Sequence, residues 1–172
     1  MRKVYFITGG ARSGKSSWAE KLANDIIGKR AYIATAQALD AEMAVKIEKH
    51  RQDRHAGWDT FEEPDAVEAL LKELSGKYDV VLLDCLTLWL SNIMVHSNTD
   101  DTVIARFGAL VDAVKHFDGV CIAVANEVGL GIVPDNPLAR RFRDCAGMLN
   151  QRMARAADDV YMTVAGIPVR IK

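Results

Sequence analysis

What most limits the fold open to this chain is a glycine-rich turn set between an apolar run and a helix-forming segment. Val4-Tyr5-Phe6-Ile7-Thr8 leads directly into Gly9-Gly10-Ala11-Arg12-Ser13-Gly14-Lys15-Ser16. The spacing is that of G-x-x-x-x-G-K-[ST], in which glycines let backbone N–H groups close around phosphates. The lysine reaches the β/γ oxygens and the hydroxyl helps hold Mg²⁺. Ser16-Ser17-Trp18-Ala19-Glu20-Lys21-Leu22-Ala23 then starts a helix whose positive N-terminal end faces the anion. The bland reading is a strand-to-helix turn with no ligand, but a chance match has no reason to carry both flanks.

A buried strand followed at once by a helix is the opening of an α/β fold, and the rest of the chain continues in that manner. At 172 residues one core serves the whole length, so we expect residues 1–172 to form a single P-loop nucleotide-binding catalytic domain. Lysine and arginine number 22 against 23 aspartates and glutamates, without the basic excess that marks a nucleic-acid partner. The N-terminus has no apolar signal region, and no uninterrupted run approaches the ~20 apolar residues needed to span a bilayer. A cytoplasmic protein with no membrane insertion is therefore expected. Cys85, Cys121 and Cys145 are widely spaced, lack zinc-ligand intervals, and sit in apolar segments as small buried hydrophobes.

The periodicity predicts strand 4–8, helix 15–27, strand 31–35, helix 40–54, helix 65–75, strand 79–84, helices 86–95 and 101–116, strand 119–125, helix 137–157, strand 159–164 and a last strand 168–171. Near-continuous apolar strands alternating with helices predict a mostly parallel sheet covered by helices on both faces, of the RecA-like P-loop NTPase kind. Ligands then lie at the carboxyl ends of the strands. The last two strands, joined by Ala165-Gly166-Ile167-Pro168, read as an antiparallel hairpin at one edge.

Three strand ends bring polar residues to that edge. Asp79-Val80-Val81-Leu82-Leu83-Asp84 ends in a carboxylate suited to hold Mg²⁺ or its waters; the competing role for Asp84 is a helix N-cap. Ala34, Thr35 and Ala36 follow the second strand and are small enough for a ligand to approach the backbone. Met43, Ile47, His50 and Arg54 share one face of the expected helix. The ordinary role for His50 there is packing, but Arg51, Arg54 and His55 beside it can neutralise phosphate oxygens and keep the imidazole neutral and nucleophilic. Trp58-Asp59-Thr60-Phe61-Glu62-Glu63-Pro64 reads as a turn whose acids cap the next helix. Asn126-Glu127-Val128-Gly129-Leu130-Gly131-Ile132-Val133-Pro134 reads as a binding loop or as a passive connection. In the helix 137–157, Leu138, Phe142, Cys145, Leu149 and Met153 fall on a core face. The arginines lie elsewhere, as a solvated face or toward an anionic substrate or a neighbouring subunit.

Taken together, these segments resemble the bifunctional adenosylcobinamide kinase / adenosylcobinamide-phosphate guanylyltransferase family. The matching pieces are Thr8 to Ser16, Tyr32-Ile33-Ala34-Thr35-Ala36, the Ile47-Glu48-Lys49-His50-Arg51-Gln52-Asp53-Arg54 helix, Trp58 to Glu62, and Leu83-Asp84-Cys85-Leu86-Thr87. They continue through Asn126 to Pro134, Arg143 to Gln151 and Gly166-Ile167-Pro168; the stretch near 95–118 carries no motif of the family. The resemblance implies two reactions on one domain. Adenosylcobinamide is phosphorylated by ATP or GTP, and GMP from GTP is then passed through a guanylylated histidine onto the resulting phosphate. The family's histidine falls on His50. Gly9, Gly10, Ala11, Arg12, Ser13, Gly14, Lys15 and Ser16 would hold the triphosphate, with Ser16 and Asp84 at Mg²⁺. Ala34, Thr35, Ala36, Arg51, Gln52, Asp53, Arg54 and Glu62 would line the nucleotide site. Asp84 is Glu in some relatives, which leaves its role open between metal ligand and base. The family also implies a homotrimer.

Two other readings share the loop. One is a P-loop kinase of another small hydroxyl substrate with His50 as packing. The other is a GTP-binding switch, which lacks support because no Asn-Lys-x-Asp segment for reading guanine is found.

Overall fold

Strands made almost wholly of valine, leucine, isoleucine and alanine cannot leave either face in water, and here they form the middle of one sheet. The computed structural model describes residues 2–37, 57–97 and 99–172. The expected helix 40–54, with His50, Arg51, Gln52, Asp53 and Arg54, lies outside the described residues. The strands are β1 (Lys3–Gly9), β2 (Arg30–Ala34), β3 (Trp58–Glu62), β4 (Val80–Asp84), β5 (Val120–Asn126), β6 (Asp159–Val164) and β7 (Ile167–Arg170). The described helices are α1 (Lys15–Asn24), α2 (Val67–Leu74), α3 (Leu86–Val95), α4 (Asp100–His116) and α5 (Pro137–Ala156).

The sheet runs in the order β3-β2-β4-β5-β1-β6-β7. All neighbours are parallel except β6 and β7. Helices cover both faces, unequally. Ala19 and Ala23 of α1 pack on Ile7, Tyr32, Leu82 and Ile122, whereas α2, α3, α4 and α5 supply the other face around Trp89, Phe107 and Leu149. Among the described residues no helix is long and apolar enough to cross a membrane.

The boundaries follow from local chemistry. Helix α1 stops at Asn24 rather than running to residue 27 because Arg30, opening β2, donates to the terminal carbonyls of Ala23 (3.1 Å), Asn24 (3.2 Å) and Ile26 (2.7 Å). Ahead of helix α2, Glu63 Oε1 accepts the N–H groups of Asp65 and Ala66 and ties the turn, but the cap position is Ala66, and no acid side chain caps the helix in the way the sequence predicts. Asn136 caps α5 ahead of Pro137, accepting from Leu138 and Ala139.

Two expectations need correction. Trp58–Glu62 is not a turn but the parallel edge strand β3, paired with β2. Its half-exposed, mixed composition hides the strand, because only its pairing, not an apolar pattern, marks it. Leu138 does not reach the core: it is 62% exposed, while Cys145, Leu149 and Met153 further along α5 are buried. The final turn is also tighter than expected. Only Ala165 and Gly166, both at positive φ, join β6 to β7, and Pro168 lies in the edge strand, where a missing donor is tolerated.

The hairpin edge is fixed by two neighbouring carboxylates. Asp158 Oδ2 accepts the N–H of Val4 at 2.8 Å. The buried Asp159 carboxylate meets Lys3 Nζ at 2.8 Å and also pairs with Arg170, so one side chain joins β1, β6 and β7. Its hydrogen bond with Lys3 holds Asp159 below the ordinary value of 3.8, against the opposing effect of burial. A depressed carboxylate stabilises the fold above its unfolded pKa and loses that contribution as pH falls through its folded one. Asp159→Asn should therefore cost about 1–2 kcal/mol in urea unfolding at neutral pH, and the gap from wild type should close below pH 3.8.

Candidate functional site

The turn between β1 and α1 is shaped by the positions where it must be glycine. Gly9 has φ 151°, and a Cβ there would lie 2.6 Å from the Thr163 carbonyl oxygen. Gly14 adopts φ 94° as the cap residue of α1, and no side chain caps that helix start, nor does an acid lie in its first turn. The first-turn N–H groups of α1 are thus kept from competing carboxylates, as an anion site at a helix N-terminus requires.

Lys15 is buried, and its Nζ donates to the Gly10 carbonyl at 2.6 Å, bending the ammonium back over its own loop. Burial pushes its pKa below the ordinary lysine value, while Cys85 and Asp84 nearby act in the opposite sense. One residue on, Ser16 Oγ donates to Asp84 Oδ2 at 2.9 Å. The Tyr32 hydroxyl donates to the same oxygen at 2.9 Å. Asp84 is not the helix cap: that position is Cys85, so the carboxylate is turned toward α1 instead. The Cys85 thiol, pushed up to about 12 by burial and by Asp84, stays protonated beside it.

The parallel register sets the rest of the edge. Glu62, Ala34 and Asp84 are direct neighbours across β3, β2 and β4. Residues so paired present their side chains to one face, and strands ~4.8 Å apart put the two acidic Cα atoms roughly 10 Å from each other. Ala34, at 8% exposure, keeps the space between the acids low, and Ala36 is half-buried beyond it.

Thr35 has a different task from the one its small neighbours suggest. Its hydroxyl donates to the Cys85 carbonyl (2.7 Å) and accepts the Cys85 N–H (2.8 Å), and its own N–H reaches the Asp84 carbonyl (3.2 Å). Asn92 bridges the Thr35 and Pro64 carbonyls, both at 2.9 Å. Thr35 is a clasp that holds the end of β4, and with it Asp84, in place.

On the other side of the loop the chain after β5 is tied down at several points. Glu127 N–H donates to the Gly9 carbonyl at 2.9 Å, Gly129 N–H to Glu127 Oε1 at 2.6 Å, and Arg143 of α5 to the Gly129 carbonyl at 2.5 Å. Thr87 accepts the Asn126 N–H at 2.7 Å. Beyond these contacts Leu130, Ile132 and Val133 are exposed.

The structure thus gathers residues 9–16, Asp84, Ala34, Ala36 and Glu62 along one sheet edge. Sequence reasoning missed Tyr32, Thr87, Asn92 and Thr163 as contributors, and Arg143, one of the arginines assigned to a solvated face, an anionic substrate or a neighbouring subunit, instead holds the Gly129 carbonyl. Tyr32 alone carried a signal, since it shares its strand face with Ala34 and puts a polar tip near the edge.

The family model for cobinamide kinase / cobinamide phosphate guanyltransferase matches residues 5–171. The chain belongs to this family. The bifunctional adenosylcobalamin biosynthesis protein CobU of Escherichia coli (strain K12) is 41% identical over 181 aligned positions, covering 98% of this chain and 99% of that protein. The protein named CobP in Pseudomonas aeruginosa is 44% identical, covering 96% and 95%. Membership makes the chain an enzyme of cobalamin biosynthesis, of the kinase and guanylyltransferase class. At the level of fold alone it is similar to the RadB recombinase, with TM-score 0.55 and 14% identity over 93% of this chain and 73% of that one. A type III secretion ATPase gives TM-score 0.60 at 9% identity, covering 93% and 50%. The RecA-like P-loop architecture read from the sequence is therefore the observed one.

The close approach of β1 to β6 gives a direct check on the loop. In Gly9→Ala the new methyl meets backbone, which cannot swing aside, at a φ that alanine tolerates poorly. Where the bound loop must keep its present shape, strain of ~1–3 kcal/mol at such a site corresponds to nucleoside triphosphate affinity lower by about five- to 150-fold. An equilibrium titration, with circular dichroism showing both proteins folded, reads this directly.

Proposed function

We propose that one nucleotide site on this chain serves two transfers: phosphorylation of adenosylcobinamide by ATP or GTP, then passage of GMP from GTP onto adenosylcobinamide phosphate with release of pyrophosphate. The observation that carries the reading is the meeting of the phosphate loop with a second strand end, Ser16 on Asp84 at 2.9 Å, in a chain that matches the bifunctional family from end to end. Neither a bare turn nor a packing contact requires a hydroxyl and a carboxylate to converge there.

The N–H groups of residues 9–16 and the Lys15 ammonium bind the phosphates. Lys15 must exchange its present bond to the Gly10 carbonyl for a phosphate oxygen, a small swing that replaces a neutral acceptor by an anionic one. Ser16 and Asp84 are hard oxygen donors, and two such ligands plus phosphates and water suit Mg²⁺, which rarely takes an all-protein cage. When bound, that ion neutralises charge on the phosphates in transfer. With the ion held, Asp84 keeps its second role open, accepting a proton from the attacking hydroxyl as base. Tyr32, donating to the same carboxylate, orients it in either case. Glu62, Ala34, Thr35 and Ala36 border the nucleoside side of the site.

For the guanylyl step, His50 attacks the α-phosphorus of GTP, the bond to pyrophosphate breaks, and the phosphate of adenosylcobinamide phosphate then displaces the imidazole. Arg51 and Arg54 stabilise the charge in transfer, and Gln52 and Asp53 complete the nucleotide site. This assignment rests on the family resemblance of the 47–54 segment; a homotrimeric assembly rests on the resemblance of the whole chain, and a cytoplasmic location on the sequence pattern, which has no apolar signal region. A sedimentation mass of one or two chains would contradict the trimer.

A two-variant experiment separates the steps. Wild type incubated with α-labelled GTP should retain acid-labile GMP on the protein, and His50→Ala should retain none. Lys15→Ala should lower phosphorylation of adenosylcobinamide by about a hundredfold or more. Equal labelling of wild type and His50→Ala sinks the histidine route; unchanged turnover in Lys15→Ala sinks the role of the loop lysine.

A further inference from the structure

The phosphate loop does not hold its shape alone. We propose that Thr163, on the β6–β7 hairpin some 150 positions away in the chain, is a positioning residue for nucleotide binding, acting through Ser13. This rests on the reading that residues 9–16 hold a nucleoside triphosphate.

The hydroxyls of Thr163 and Ser13 are 2.7 Å apart, and both residues are buried, at 1% and 9% exposure. Thr163 Oγ1 also donates to the Thr8 carbonyl at 3.3 Å. A hydroxyl has one proton, so with Thr163 donating to Thr8, the Ser13 hydroxyl must be the donor between the two. Ser13 is thereby turned inward, toward Thr163 and Gly9. The hairpin grips the same residue a second time, because Gly166 N–H donates to the Ser13 carbonyl at 2.9 Å.

That second bond fixes the direction of the next amide. In a planar trans peptide the C=O and the following N–H point opposite ways. Anchoring the Ser13 carbonyl on Gly166 therefore turns the Gly14 N–H away from the hairpin, where it can meet an anion. Close packing holds the pair in register. A Cβ on Gly14 would stand 3.0 Å from Gly166 Cα, and one on Gly9 would lie 2.6 Å from both Thr163 Oγ1 and its carbonyl oxygen. Removing the Thr163 hydroxyl leaves a buried Ser13 donor without its acceptor, and the loop gains by rotating Ser13 out. The amides that cradle the phosphates then lose their alignment.

The test uses the full chain and MgGTP as probe, with Thr163→Val, Thr163→Ser and Thr163→Ala compared at a temperature where circular dichroism shows each folded. Thr163→Val should weaken GTP affinity at least about fivefold and raise KM more than it lowers kcat, and Thr163→Ser should restore both. A merely structural threonine would lower the melting temperature of Thr163→Val and leave the affinity of the folded protein as in wild type, which overturns the proposal. If Thr163→Val does not fold, Thr163→Ala decides, since it too removes the hydroxyl that accepts from Ser13: weaker GTP binding supports the proposal and wild-type binding overturns it. Failure of wild type itself to bind MgGTP would refute the nucleotide reading and the proposal with it.

Discussion

The contact on which the rest of the site depends is the hydrogen bond from Ser16 to Asp84. The two residues belong to elements that are not neighbours in the sheet: β5 lies between β1, which launches the loop, and β4, which carries Asp84. They meet because α1 leaves the end of β1 and packs across β5 and β4 as well as β1. Small residues on the helix allow this. Ala19 and Ala23 are fully buried against the sheet, so the helix axis lies close and its first turn overhangs the end of β4. A bulky side chain at either place would lift the helix and separate the hydroxyl from the carboxylate.

Supports on both sides keep that contact in place. Thr35, just after β2, bonds the Asp84 carbonyl and both backbone groups of Cys85, and Asn92 of α3 in turn holds the Thr35 carbonyl. Glu127 and the hairpin hold the loop from the other side, at Gly9 and Ser13. The polar groups of these supports are largely paired with one another, which frees the loop amides and the α1 terminus for an anion. Burial also explains why the cysteines take no part. Cys85 and Cys121 are both pushed up to about 12 in thiol pKa, so Cys85, though next to Asp84, supplies bulk and no thiolate.

Much of the fold was legible because its strands are buried on both faces. β1, β4 and β5 read as continuous apolar runs, and the helices between them as periodic segments. Where a strand lies at an edge the signal fades: β3 mixes polar and aromatic residues and reads as a turn, with Glu62 and Glu63 as helix caps. Glu63 ties the turn before α2 by accepting the N–H groups of Asp65 and Ala66, while the cap position itself is Ala66 with no side-chain hydrogen bond, and Glu62 ends the strand beside Ala34. Leu138 shows a similar lapse. A helical period places it with the core residues of α5, but it lies in the first turn, beyond the reach of the sheet, and remains exposed.

The sequence by itself determined the phosphate loop, since its glycines, lysine and serine act through spacing within one short segment. It determined the parallel α/β class for the same local reason, and the resemblance carried by eight segments named the family. Only the tertiary structure decided that Tyr32 and Ser16 share one oxygen of Asp84, that Thr35 is a clasp, and that Thr163 and Gly166 stand behind the loop. These are contacts between strand ends and turns brought side by side by sheet register. Register is set by the packing of whole faces, so no local pattern around Thr163 could show that its hydroxyl would meet Ser13.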